Sequence, residues 1–141
     1  MSDEPDFPDV ISGEGYAAAH LDDLGEGYGF RRIRRGLDVR EMGANALVLP
    51  PRYEAGAHLH ETQEEIYFVH AGEIELELND GDIVRLGPGG IARVDAPTTR
   101  RLRNVGHTDA TVVVVGAKDG YVGRDGKLPE GENRAGGPLD G

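Results

Sequence analysis

"EIELELNDGDIVRL", residues 73–86, alternates acid with aliphatic side chain for six positions, breaks at Asn79-Asp80-Gly81 and resumes as a second aliphatic-rich run. Side chains on a strand point to opposite faces in turn, so Ile74, Leu76 and Leu78 share one face and Glu73, Glu75 and Glu77 the other. A short Gly-containing break between two such runs predicts a hairpin. With Asp80-Gly81-Asp82 as a three-residue loop, Val84 and Leu86 join the face of Leu76 and Leu78, and Arg85 faces Glu77. A two-residue loop would put Arg85 on the apolar side. The acidic row reads as a solvated face.

The same rhythm runs outward from this hairpin in both directions. Further strands are predicted at 30–34, 44–49, 57–60, 65–71, 91–94, 100–104 and 110–117. Pro50-Pro51, Gly72, Gly87-Pro88-Gly89-Gly90 and Gly106 punctuate them. Many short strands divided by turns predict an all-β sandwich or barrel. At 141 residues the chain reads as one domain, 1–141, with its core at about 30–117. Residues 1–15 and 118–141 read as extended arms, the second rich in glycine. Only "AAAHLDDL", residues 17–24, has helical character. The glycines at 87, 89 and 90 invite a phosphate-cradle reading, but no helix follows and no lysine sits among them, so a turn is expected.

Composition narrows the function classes. Twenty-six acids against 15 bases give a formal net charge of -11, which repels phosphate backbones and anionic lipid surfaces, so neither nucleic acid nor membrane is an expected partner. The absence of cysteine excludes disulfides, thiolate nucleophiles and Cys-based metal sites. The acidic start, MSDEPDFPD, has no basic segment followed by an apolar one, and a cytoplasmic location is the expectation.

The chemistry concentrates in "GAHLHETQEEIYFVHAG", residues 56–72. On a strand His58 and His60 point the same way, while Ala57 and Leu59 point the other. If the strand that follows Glu61-Thr62-Gln63-Glu64 returns antiparallel, a carboxylate near its start lies opposite the histidines. Two imidazoles and a carboxylate make a three-ligand set that leaves coordination positions open. His70 alternates out of phase with Glu65, and His20 and His107 read as surface residues.

From Gly56 to Gly72 the chain resembles the first motif of the cupins: His-x-His, a short gap, Glu, six residues, Gly. With Gly72 as the closing glycine the spacing selects Glu65; Glu64 is the alternative, since local alternation also allows Ile66 and Phe68 to point inward. Arg52 stands where the motif usually opens with glycine. Aligned on Gly89 and Asn104, the second cupin motif places Asp95, Pro97 and Arg100 at its Pro, Gly and His positions. Arginine has no lone pair to offer a metal, so Arg100 does not replace the fourth ligand.

The resemblance implies a small antiparallel β-barrel, the double-stranded β-helix or jelly roll, with His58, His60 and Glu65 holding a divalent metal. Fe(II) is the first expectation, with Mn, Ni or Zn as alternatives. Metal beside a guanidinium favours a small anionic ligand, with Arg100 its anchor and Tyr67 and Gln63 beside it. Metal-dependent dioxygenase, isomerase or lyase chemistry is one expectation, and a non-catalytic ligand-binding module, with or without metal, is the other. In the second, Arg100 pairs with Glu65 or Asp95. The resemblance also implies a homodimer, with Ile66, Phe68 and Val112 to Val115 supplying an outer sheet face.

Overall fold

The computed structural model describes residues 7–79, 81–123, 125–129 and 136–139. A short hairpin, β1 (Ile11–Gly13) and β2 (Tyr16–Ala18), precedes a 3-10 turn (Leu21–Leu24), β3 (Gly29–Arg31), helix α1 (Ile33–Leu37) and β4 (Gly43–Leu49). Then come β5 (Tyr53–Glu54), β6 (Leu59–His60), β7 (Glu64–Ala71), β8 (Ile74–Leu78), β9 (Asp82–Leu86) and β10 (Ile91–Val94). β11 (Arg100–Asn104), β12 (Ala110–Ala117), β13 (Gly126–Lys127) and β14 (Gly137–Pro138) complete the order.

Two five-stranded antiparallel sheets carry the architecture, one ordered β10-β7-β12-β4-β3 and the other β14-β5-β11-β8-β9. Their inner faces supply one core: Leu49, Tyr67, Val69 and Val112 from the first meet Ile74, Leu76 and Leu102 from the second. All of these except Leu49 and Leu102 are at most 2% exposed. Strict alternation on β7 puts Glu65, Tyr67 and Val69 inside, and Ile66, Phe68 and His70 outside. Of the two candidate glutamates, Glu65 therefore faces inward and Glu64 lies on the exposed face.

The hairpin forms with Leu78 opposite Asp82, so its loop is 79–81, one residue earlier than the sequence reading had it. Asn79 takes a left-handed conformation (φ 56°) that asparagine tolerates, and the strand ends there. The resulting shift in pairing is two residues, which preserves every side chain's face but moves Arg85 from Glu77 to Glu75, at 2.9 Å. The acidic row is not simply solvated. Arg101 and Arg103 of β11 lie opposite Glu77 and Glu75, and Arg103 reaches Glu77 at 2.7 Å while both arginines also pair with Glu54.

The arms differ from expectation as well. β3 stops at Arg31 and the chain turns into α1, where a strand through Arg34 was predicted. The helical reading of 17–24 shrinks to one 3-10 turn, capped by the His20 ring accepting from the Asp22 N–H at 3.1 Å. The C-terminal arm contributes two strands, β13 against β6 and β14 against β5. Val112 is fully buried rather than part of an outer surface, whereas Ile66 and Phe68 are exposed beside Ile91.

Asn104, fully buried at the end of β11, staples two turns: its amide donates to the carbonyls of Leu49 and Pro50 in one and of Thr108 in the other, at 2.8–3.1 Å. Gly72 turns at φ 78°, with its α-carbon so close to the next strand that an added Cβ would sit 2.6 Å from the Asp109 carbonyl oxygen. Gly72→Ala is therefore expected to cost on the order of 3 kcal/mol, from left-handed strain plus a clash with rigid backbone, read as a lower urea midpoint at unchanged slope.

Candidate metal centre

β7 and the segment leading into β6 converge on one point between the sheets. β7 enters with Glu65, which lies opposite Gly116 of β12 and Val94 of β10. The segment before and within β6 brings the histidines: His58 exchanges both backbone hydrogen bonds with Arg100 at 2.9 Å, and the His60 N–H donates to the Ala96 carbonyl at 2.9 Å. With His58 and His60 two residues apart on an extended backbone, both rings turn inward, their centroids 5.3 Å apart and nearly perpendicular. One ligand atom from each of His58, His60 and Glu65 lies within 4.8 Å of the other two.

The donor chemistry fits a divalent cation. His60 Nε2 stands 3.2 Å from Glu65 Oε2, and His58 Nε2 stands 3.9 Å from Oε1. Ligand atoms each about 2.1 Å from a shared ion lie roughly 3.0–3.4 Å apart, so His60 and Glu65 are already at coordinating separation. His58, the most exposed of the three, is the arm that stands farther from Glu65. Gly116 forms the floor, since a Cβ there would lie 3.0 Å from the Glu65 Cγ.

Every group around Glu65 favours its anion. Burial raises a carboxyl's pKa, but hydrogen bonds from His58, His60 and the Tyr67 hydroxyl outweigh it and hold Glu65 far below the ordinary carboxylate range. The Tyr67 hydroxyl donates to Oε1 at 2.8 Å, and its own pKa is pushed well up, by burial first and the Glu65 charge second. Gln63 lies between ligands, with its amide nitrogen 3.1 Å from His60 Nδ1 and 3.4 Å from Glu65 Oε2.

Arg100, only 1% exposed, points into the same space. Its Nη1 lies 3.7 Å from Glu65 Oε1 and its Nη2 donates to the Asp95 carbonyl oxygen at 2.7 Å. Nε and Nη1 have no hydrogen-bond partner among the described residues. The partner expected of Asp95 is thus its backbone; the Asp95 carboxylate turns outward to Arg93.

The sequence reading placed His58, His60, Glu65, Arg100, Tyr67 and Gln63 here, and the structure brings all six together. It missed Asp125. This carboxylate accepts from the backbone of Thr62 and Gln63 and lies 3.4 Å from His60 Nδ1. Burial raises its pKa, but those backbone N–H groups and the Thr62 hydroxyl bring it below the usual value. Its flanks, glycine-rich and without periodicity, carry no signal of a strand that returns to the site. His20, His70 and His107 are exposed, as expected.

The ligand atoms open onto a cleft of about 1140 Å³ between the two sheets. Among the described residues, Arg32, Arg34, Arg35, Arg100 and Lys127 line it, against Glu65 and Asp125 as carboxylates.

Residues 46–116 match the cupin domain, and the chain belongs to the cupin family. Among solved structures it is similar to an uncharacterised conserved protein with a double-stranded β-helix domain from Klebsiella pneumoniae subsp. pneumoniae, at 17% identity over 88% of this chain and 97% of that one, TM-score 0.63. A cupin protein from Bacteroides fragilis aligns at 19% identity over 83% and 99%, TM-score 0.62. A predicted oxalate decarboxylase from Thermotoga maritima aligns at 28% identity over 53% of this chain and 64% of that one, TM-score 0.50, so just under two thirds of that protein is spanned. No curated protein matches the chain in sequence. Among the described residues, no helix is long and apolar enough to cross a membrane.

A pH dependence follows for the metal-free protein. Because folding lowers the Glu65 pKa, its contribution to stability is complete above the unfolded-state value of about 4.3 and is lost progressively as pH falls below it. Glu65→Gln is expected to flatten the fall of the urea midpoint between pH 5 and pH 3 (roughly the window set by that unfolded value).

Proposed function

We propose that this cupin binds a divalent cation through His58, His60 and Glu65 and uses it, with Arg100, to hold a small anionic molecule. The observation that carries the reading is the convergence of the three ligand atoms within 4.8 Å on the wall of a cleft whose other charged side chains are mostly cationic. A divalent ion with one carboxylate ligand keeps about one net positive charge, and Arg100 adds another. Buried N–H groups without partners are costly, and an anion entering the cleft supplies the acceptor that Arg100 Nη1 lacks.

Within this arrangement Tyr67 keeps Glu65 oriented, Arg100 places the anion beside the ion, and the apolar side chains of Leu47, Leu102 and Val114 restrict water in the cleft. The bound metal supplies Lewis acidity and a binding template, with Fe(II) the first choice and Mn, Ni or Zn the others. Turnover in the form of oxidation, isomerisation or bond cleavage is the enzymatic version of this reading. The similar protein named as a predicted oxalate decarboxylase supports a small carboxylate as the class of ligand. The exposed row Ile66, Phe68 and Ile91 is the face we assign to a homodimer, and a monomer at micromolar concentration in sedimentation would remove that assignment.

One observation favours a second reading, a ligand-binding module without metal: the Arg100 guanidinium already lies 3.7 Å from Glu65 and can neutralise it. Metal stoichiometry decides between them. Tag-free protein is expected to bind one equivalent of metal, and His58→Ala and His60→Ala to weaken it by more than the roughly 10–100-fold that loss of an outer supporting partner causes. Unchanged stoichiometry and affinity in both variants would sink the metal reading. Arg100→Met is expected to weaken binding of small carboxylates by about 10–100-fold, the equivalent of about 1.5–3 kcal/mol for hydrogen bonds to a charged group, measured by calorimetry. Oxygen uptake or product formation with the same panel separates enzyme from module.

A further inference from the structure

Asp125, 7% exposed, lies just before β13 and far in sequence from the histidines. Both of its oxygens are engaged by the turn that joins β6 to β7. Oδ1 and Oδ2 accept the Thr62 N–H at 3.1 and 3.0 Å, Oδ1 accepts the Thr62 hydroxyl at 2.9 Å, and Oδ2 accepts the Gln63 N–H at 2.8 Å. Oδ2 also stands 3.4 Å from Nδ1 of His60. The opposite ring nitrogen, Nε2, is the one that faces Glu65.

We propose that Asp125 is the positioning residue of the metal centre, fixing the tautomer and orientation of His60 from a C-terminal strap, and that metal binding and docking of this strap are coupled. The inference rests on the metal reading above. An imidazole that ligates through Nε2 must carry its proton on Nδ1, and a carboxylate beside Nδ1 holds that proton there and stiffens the ring. Gln63 offers a further acceptor: its Oε1 has no partner among the described residues, and turning its amide plane presents that oxygen to the same Nδ1–H.

The strap is tied on by more than one contact. Gly126 pairs with His60 and Lys127 with Leu59, the Glu61 N–H donates to the Asp125 carbonyl at 3.2 Å, and Lys127 Nζ lies 3.4 Å from Glu61. A Cβ on Gly126 would lie 3.7 Å from His60 Cε1, an ordinary contact distance, so the strap passes beside the ring. Anything that fixes the ring from the metal side therefore favours the docked strap, and by linkage the two effects are equal in size.

Co(II) is the probe, since its visible spectrum reports coordination and a competing chelator yields its dissociation constant. Asp125→Ala is expected to weaken Co(II) binding by about 10–100-fold and to alter the visible bands. Thr62→Val, which removes an anchor of the turn and leaves the His60 contact in place, is expected to weaken it by less than about threefold, well short of a supporting-partner loss. Asp125→Asn, keeping one acceptor oxygen, is expected to fall between. In unmodified protein, saturating Co(II) is expected to slow amide exchange at Gly126 and Lys127 by about the same factor that Asp125→Ala costs in affinity.

Asp125→Ala within threefold of the unmodified protein, or Thr62→Val as damaging as Asp125→Ala, overturns the positioning role. Exchange in the strap that is indifferent to bound Co(II) overturns the coupling without reference to any variant. Unmodified protein that takes up no Co(II) removes the metal reading itself, and this inference with it.

Discussion

A carboxylate buried between two sheets has to be matched by donors or it will not ionise there. Glu65 is matched on every side, by the Tyr67 hydroxyl, two imidazoles and the Arg100 guanidinium. Those partners come from three stretches of backbone whose register is fixed by pairing elsewhere. Tyr67 follows from alternation on β7, Arg100 from alternation on β11, and the histidines from an extended segment tied to Arg100 by paired backbone hydrogen bonds. A slip of one residue in any of these strands would expel a charge from the site and bury an aliphatic chain in its place. The polar centre and the apolar core are thereby specified by the same pairing pattern, and neither can be rearranged without the other.

The polar centre is not balanced for empty space. Arg100 has two buried nitrogens without acceptors and Gln63 has an oxygen without a donor, while the turns a few residues away are satisfied by Asn104 with three separate carbonyls. Those atoms of Arg100 and Gln63 line the cleft, which supports the small anionic ligand proposed for it.

Much of this was legible in the sequence because the governing signal was local. Period-two alternation reads directly from residues 64–71, 74–78 and 100–104, and turn residues divide the runs. The resemblance to the cupin motif, closed by Gly72, points to Glu65, and the depth of burial on β7 agrees. What escaped depended on contacts across long separations or on the exact end of a strand. Asn79 in a left-handed conformation moved the hairpin loop by one residue, a choice open to several neighbouring side chains. The arginines that neutralise Glu75 and Glu77 sit on β11, and nothing in either segment alone reveals the partnership. Asp125 was hidden for the same reason, lying more than sixty residues from the turn it caps.

The ion pairs on the outer side of the second sheet have an effect that reaches beyond their own strands. Glu54, Glu75 and Glu77 are answered there by Arg85, Arg101 and Arg103, so this broad face is electrically silent even though the chain carries a net -11. The long-range negative field must arise from the remaining surface, and a charged body diffusing toward the molecule is steered by that surface instead. The cationic lining of the cleft then acts as a local inversion of sign, felt only at short range, where salt screens it least.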